Sequence, residues 1–263
     1  MIDFHNHILP NVDDGSRSLE MSLEMLRHAA NQGITDVVNT VHYQHPKVEG
    51  LDMSFKRINE EIENLQNELD KHSILINIHI GSEVFYYPNL VTILNQQITT
   101  IGDGKFMLIE FLPNLIPITQ QKTLFDLKML GVTPIIAHPE RYKPVQKDIS
   151  LVYKWLTAGC LIQVDAGSLL GNFGKSAKVI SEKIITRNWC QIIGSDAHDN
   201  KKRNFILKDA YKLAKSWIGK DAELLVKENP MAIIKGENIS TDLNDLHFDE
   251  QSSSLWNKLK SKL

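Results

Sequence analysis

The chain has 263 residues, 42% hydrophobic and 23% charged, the proportions of a folded globular protein with room for one large domain or two small ones. Twenty-nine Lys and Arg against 32 Asp and Glu leave a formal net charge of −3, so no positive excess is available for counterion release and nucleic acid is not expected as a main partner. No apolar run nears the roughly 18–20 residues of a spanning helix, and MIDFHNHILPNVDD carries acids where a signal peptide carries basic and then apolar residues, so a cytoplasmic protein without membrane insertion is expected.

Along the chain, short β-branched or apolar runs alternate with longer stretches of helical spacing, the pattern of repeated strand-helix units around a parallel sheet. Strands are predicted at 2–7, 35–41, 75–81, 106–111, 132–137, 161–165 and 191–194. Between the second and third, Leu51, Phe55, Ile58, Ile62, Leu65 and Leu69 form one apolar stripe and leave Lys56, Glu60, Glu61 and Glu63 outside, which predicts a helix packed on the sheet. Gly33 and Gly131 each close a helical stretch just before a strand, as a left-handed helix end does. Cys160 and Cys190 each open an apolar run and are read as buried free thiols. After residue 238 the composition turns polar and Ser-rich, then ends with Leu255, Trp256, Leu259 and Leu263 at helical spacing. The expected organisation is therefore a main domain at 1–238 and a tail at 239–263, helical at its end.

The chemistry gathers where the predicted strands finish. Five of the ten histidines, His5, His7, His42, His138 and His198, sit at or just after such an end. Glu83, Glu110 and Asp196 occupy equivalent places, and Asp14 lies in the DDG turn after the first strand. A parallel barrel brings those ends to one face, where the active sites of such barrels lie. His5 and His7, two residues apart on a strand, point to the same side and can share one ion. Structural histidines have no reason to choose the same end of successive strands, so a metal cluster is expected. Nine donors exceed the needs of one ion, which predicts two or three. Imidazole and carboxylate without thiolate suit Mn, Fe or Zn. Such a cluster lowers the pKa of bound water and clamps both oxygens of a phosphoryl transfer, so hydrolysis with metal-activated hydroxide as nucleophile is the expected reaction. Arg141 and Arg203, three and five residues past His138 and His198, add guanidinium forks suited to a phosphate ester. Tyr43 and Tyr142 are candidates for an aromatic wall. A cysteine nucleophile is excluded, because Ala166 and Asp196 stand where a C-x5-R loop starting at Cys160 or Cys190 would need its arginine.

Read together, FHNHILPNVDDGS, TVHYQHP, GSEVF, LIEF, AHPERY and GSDAH resemble the polymerase and histidinol phosphatase (PHP) superfamily. Over residues 1–238 the chain is most similar to the metal-dependent protein tyrosine phosphatases of bacterial capsule and exopolysaccharide loci. That resemblance implies an α/β fold, a distorted (β/α)7 TIM-like barrel, and a trinuclear centre usually described with Mn. It further implies activity on the phosphotyrosine of an autophosphorylated tyrosine kinase that controls polysaccharide synthesis or export. Carried over, it assigns metal ligation to His5, His7, His42, Glu83, Glu110, His138, Asp196 and His198, with Glu110 as bridging carboxylate. Asp14 becomes a ligand or a proton-handling neighbour, and Arg141 and Arg203 the phosphate-holding arginines. Histidinol phosphate hydrolysis on the same barrel, and a non-catalytic module that binds a phosphorylated protein, are the alternatives. The tail leaves homo-oligomerisation open.

Overall fold

In a computed structural model, which describes residues 1–239, seven strands form one all-parallel sheet in sequential order: β1 Ile2–Asn6, β2 Asp36–Tyr43, β3 Asn77–Phe85, β4 Phe106–Glu110, β5 Thr133–Ala137, β6 Leu161–Asp165 and β7 Ile192–Gly194. Backbone bonds then close the sheet on itself. Asp196 N–H donates to His5 O (2.7 Å), His7 N–H donates to Ala197 O (2.8 Å), and Asn6 bridges Ala197. The result is the distorted seven-stranded barrel expected from the sequence.

Nine helices occur among the described residues: α1 Leu19–Asn31, α2 Phe55–Lys71, α3 Gln120–Met129, α4 Lys143–Lys147, α5 Ser150–Thr157, α6 Ala166–Leu170, α7 Lys175–Thr186, α8 Leu207–Ile218 and α9 Asn229–Ile234. Ser18 and Ser54 cap α1 and α2, each hydroxyl accepting a backbone N–H of the first turn. Gly33 and Gly131 have φ of 83° and 84°, as predicted for helix ends leading into strands. The larger apolar cluster runs between sheet and helices. A second one, with Phe4, Val38, Leu108, Ile135, Leu161 and Ile192 from six strands plus Ile233 of α9, lies within the barrel. No described helix is long and apolar enough to cross a membrane.

Most strand ends shift by a residue or two from the sequence reading, and three of the differences bear on the site and its surroundings. β3 starts at Asn77 and runs to Phe85, because pairing with β2 extends from Asp36–Asn77 through Tyr43–Val84. Leu75, apolar but 85% exposed, belongs to the preceding turn. Glu83 is thus inside its strand, paired in register with His42. α2 starts at Phe55 rather than near Leu51, because the Asp52–Ser54 turn, in which Asp52 Oδ1 accepts Ser54 N–H, intervenes. Leu51 leaves the helical stripe and is half exposed. β1 ends at Asn6, which puts His7 one residue beyond it. The helix predicted near the chain's end lies outside the described residues.

Candidate metal centre

Six of the seven strands deliver donors to the same end of the barrel. His5 comes from β1, His7 from the turn after it, His42 from β2, Glu83 from β3, Glu110 from β4, His138 from just beyond β5, and Asp196 and His198 from beyond β7. Their donor atoms form four overlapping groups, each within 4.8 Å: His7, Asp14, His42 and His198; His5, His7 and Asp196; His5, Glu83 and His138; and His42, Glu83 and Glu110. All nine predicted residues are brought together, nearly all buried, with only Asp14 reaching the mouth.

The carboxylate at the middle is Glu83, not Glu110. Glu83 Oε2 lies 3.3 Å from His5 Nε2, 3.6 Å from His7 Nε2 and 3.2 Å from His42 Nδ1, while Oε1 is 2.9 Å from His138 Nε2. Glu110 stands further out, 4.0 Å from His42 and 3.8 Å from His138. The β3–β4 register sets the offset: Glu83 pairs with Leu108, so Glu110 stands two residues further along, opposite Phe85.

Local backbone geometry explains the motifs. His138 and Asp196 have φ of 32° and 48° and leave their strands in the left-handed region, which costs non-glycine residues about 1–3 kcal/mol and is retained where a side chain must be aimed. Gly15 closes the DDG turn against His7: a Cβ there would meet the His7 carbonyl oxygen at 2.1 Å. A Cβ on Gly194 would meet that of His5 at 2.6 Å, so only glycine lets β7 approach β1 at this point.

Several supporting residues were not singled out from the sequence. The His7 ring donates from Nδ1 to Asp13 Oδ2 (2.7 Å), and the His5 ring from Nδ1 to Gln163 Oε1 (3.0 Å). Both rings therefore turn Nε2 inward, the carboxylate-histidine arrangement that orients metal ligands. Asp13 is the neighbour of Asp14 in VDDG. Gln163 and Asp165 are polar breaks in the otherwise apolar run LIQVDA, and that irregularity was the available signal.

Arg141 and Arg203 both reach the bowl and meet on one oxygen. Arg141 Nη1 and Arg203 Nη2 each donate to Asp196 Oδ2 (2.5 Å), and Arg141 Nη1 also lies 3.2 Å from Asp165 Oδ2. The Phe173 ring lies 4.5 Å from the Arg141 guanidinium carbon and 5.7 Å from that of Arg203. Neither tyrosine forms a wall of the donor bowl itself. Tyr43 lines a groove beside the bowl, but Tyr142 is buried with its hydroxyl accepting Phe111 N–H (3.0 Å), a role in the core. Cys160 and Cys190 are free and buried, and burial pushes both thiols up to about 12, which rules out a thiolate at neutral pH.

The donors fit divalent cations. Buried His5 Nε2, His7 Nε2, His42 Nδ1 and Glu110 Oε2 have no hydrogen-bond partner, a costly concentration of polar atoms that a cation satisfies. Burial pulls the His5 ring down, but Glu83 and Asp196 outweigh it and hold it at about 9; for His7, Asp13 outweighs burial in the same way. Burial and then neighbouring Glu83 push Glu110 up to about 7, so protons stand in for positive charge. His138, pushed down to about 4 by burial and Arg141, is already neutral.

Metal uptake must therefore displace protons from His5 and His7. Between about pH 7 and 9 the overall affinity should rise as pH rises, by at least about 100-fold per unit for the two displaced imidazolium protons, and more steeply below about 7, where Glu110 also gives one up. Titration calorimetry in buffers of different ionisation enthalpy counts those protons, and a pH-independent affinity would contradict the assignment.

Fold and site together define an α/β barrel enzyme of the PHP type whose clustered His, Asp and Glu donors can hold metal ions. The chain belongs to the CpsB/CapC family of capsular polysaccharide synthesis, whose family model matches residues 1–235. CapC of Staphylococcus aureus is 34% identical over 212 residues, covering 80% of this chain and 82% of CapC. Tyrosine-protein phosphatase YwqE of Bacillus subtilis is 32% identical over 91% of this chain and 93% of its own. Tyrosine-protein phosphatase CpsB of Streptococcus agalactiae is 30% identical over 91% and 100%. A crystal structure from work on YwqE and Streptococcus pneumoniae CpsB, described as unique metal-dependent tyrosine phosphatases, superposes with a TM-score of 0.86 at 32% identity, covering 91% of this chain and 96% of that one. The phosphotriesterase homology protein of Escherichia coli, at 10% identity and a TM-score of 0.57, shares the fold alone.

Proposed function

We propose that this chain is a metal-dependent protein-tyrosine phosphatase of polysaccharide synthesis. The observation that carries the reading is the convergence of nine donors on one end of the barrel with two arginines meeting at Asp196. Its catalytic unit is residues 1–238, and its cofactors are two to three divalent ions, Mn²⁺ before Fe or Zn. Its substrate is the phosphotyrosine of a bacterial tyrosine autokinase, met in the cytoplasm.

His5, His7, His42, Glu83, Glu110, His138, Asp196 and His198 would hold the ions, with Glu83 at the middle of the donors and Asp14 completing the set at the mouth. Bound there, the ions supply the Lewis acidity that activates water and neutralises phosphoryl oxygens. Asp13 and Gln163 fix the tautomers and angles of His7 and His5. Arg141 and Arg203, anchored on Asp196, present their remaining N–H groups to the equatorial phosphoryl oxygens. Asp14 accepts from Lys47 Nζ (2.6 Å) and lies 3.1 Å from His42 Nε2; burial raises its carboxyl, but His198, His42 and Lys47 outweigh that and hold it well below the usual carboxylate range, so it faces the mouth as an anion. Tyrosine leaves as a phenoxide of pKa about 10, so the demand for a proton on the departing oxygen is modest.

Rates with added Mn²⁺ on a phosphotyrosine peptide, a phosphoserine peptide and histidinol phosphate, before and after chelation, test the reading. Chelator-sensitive preference for phosphotyrosine is expected. Preference for histidinol phosphate would move the enzyme to a small-molecule substrate, and no turnover on any of the three would make the barrel a binding module.

A further inference from the structure

A groove of about 710 Å³ opens beside the metal centre, a size within the roughly 300–1,000 Å³ of ligand clefts. Its walls come from Tyr43 at the end of β2, from His45, Glu49, Leu51 and Asp52 of the segment between β2 and α2, and from Tyr87 just after β3. Three ring contacts tie it to the centre. His42 stacks on His45 at 4.4 Å, His45 meets the edge of Phe85 at 4.8 Å, and Phe85 meets Tyr87 at 5.6 Å. His45 is held in place by Lys47 N–H, which donates to its Nδ1 (3.0 Å), so the ring keeps its proton on Nε2, 3.7 Å from Glu110 Oε2. The outer end is apolar and uncovered, with Leu51 50% and Tyr87 41% exposed.

We propose that this groove binds the polypeptide flanking the phosphotyrosine, and that it favours a basic flank over an acidic one. The inference rests on the phosphatase reading above and names the part of the substrate that the metal centre does not touch. Continuity is the first argument: a phosphotyrosine with its phosphoryl group among the donors leaves its main chain at the mouth, where His45 begins the groove. Charge is the second. The carboxylates lining the groove are those of exposed Glu49 and Asp52, whereas the nearby Lys47 ammonium is engaged with Asp14. The exposed Tyr87 ring and Leu51 offer an apolar floor for a side chain or for the stem of a lysine or arginine.

The test compares free phosphotyrosine with peptides extended by three residues on either side and carrying Lys or Glu in the extension, for the Mn²⁺-loaded wild-type enzyme and for Glu49→Lys and Tyr87→Ala. Wild type should prefer the Lys-bearing peptide by about tenfold in kcat/KM at low salt, less as salt rises. Glu49→Lys should erase or invert that preference. Tyr87→Ala should lower kcat/KM on the favoured peptide by about fivefold through KM, with free phosphotyrosine changed less than twofold in both variants. Equal rates for Lys and Glu flanks, or a preference that Glu49→Lys leaves intact, would overturn the groove while leaving the phosphatase reading standing. Absence of turnover on free phosphotyrosine and on every peptide would remove that reading and the groove with it. A preference that emerges only once residues 240–263, with Lys258, Lys260 and Lys262, are deleted would make this chain's own end the occupant and would likewise overturn the proposal.

Discussion

Replacing His5 and His7 together by Ala should leave a folded barrel with at least about a 10³-fold lower kcat/KM on phosphotyrosine, about 4 kcal/mol of lost transition-state stabilisation. These two imidazoles enter three of the four donor groups, so no arrangement of the remaining residues rebuilds the inner part of the centre. The fold does not depend on them in the same way. β1 is held by its ladder to β2 and by backbone bonds to Asp196 and Ala197, none of which uses a side chain of either histidine. Without the rings, Glu83 and Asp196 face each other with less positive charge, so the melting temperature of the metal-free variant should fall and then recover as the pH is lowered and the carboxylates take up protons. Circular dichroism together with the rate assay separates the outcomes. An unfolded double variant would make the histidines structural, and retained turnover would remove them from the site.

Arg141→Ala should raise KM and lower kcat, for a loss of about 10²-fold in kcat/KM on any phosphate monoester. The magnitude follows from removing one charge-assisted, two-point contact to a phosphoryl group in a partly buried site. The side chain also neutralises buried Asp165, whose carboxyl burial pushes up to about 6 even beside the guanidinium. Alanine therefore mixes a binding effect with a structural one. Arg141→Lys separates them, because an ammonium keeps the charge near Asp165 and Asp196 but loses the fork. If Arg141 holds phosphate, the lysine variant should melt near wild type and still lose at least about tenfold in kcat/KM. Because Arg203 donates to the same Asp196 oxygen, the two arginine substitutions should not be additive. Unchanged kinetics in both Arg141 variants would take the residue out of the site.

Much of the centre was legible because a fully buried parallel strand reads as an apolar run, and a His or Glu where such a run finishes stands out. His5, His42, Glu110 and His138 were found in this way, and the structure groups them as expected. Glu83 was recognised by its place just after LINIHIGS, yet its central position was not, since only the register between β3 and β4, which pairs Glu83 with Leu108, sets it inside Glu110. Asp13 and Gln163 escaped notice for a different reason: their roles depend on which ring nitrogen faces them, a contact across the barrel that no local spacing encodes. Leu75 and Leu51 misled in opposite positions, one apolar residue counted into a strand and one into a helix, and both are surface residues of turns. Tyr142 was misplaced because a loop tyrosine in sequence is a buried one in space when its hydroxyl finds a backbone amide, here that of Phe111.

The central claim is that these donors hold the ions on which phosphotyrosine hydrolysis depends. The most direct measurement is to strip the protein of metal, add Mn²⁺ back stepwise, and record bound metal per chain against turnover of a phosphotyrosine peptide. The account predicts no turnover in the stripped protein and full recovery only once about two to three ions are bound per chain. Full turnover by the stripped protein, or recovery complete with a single bound ion, would contradict it.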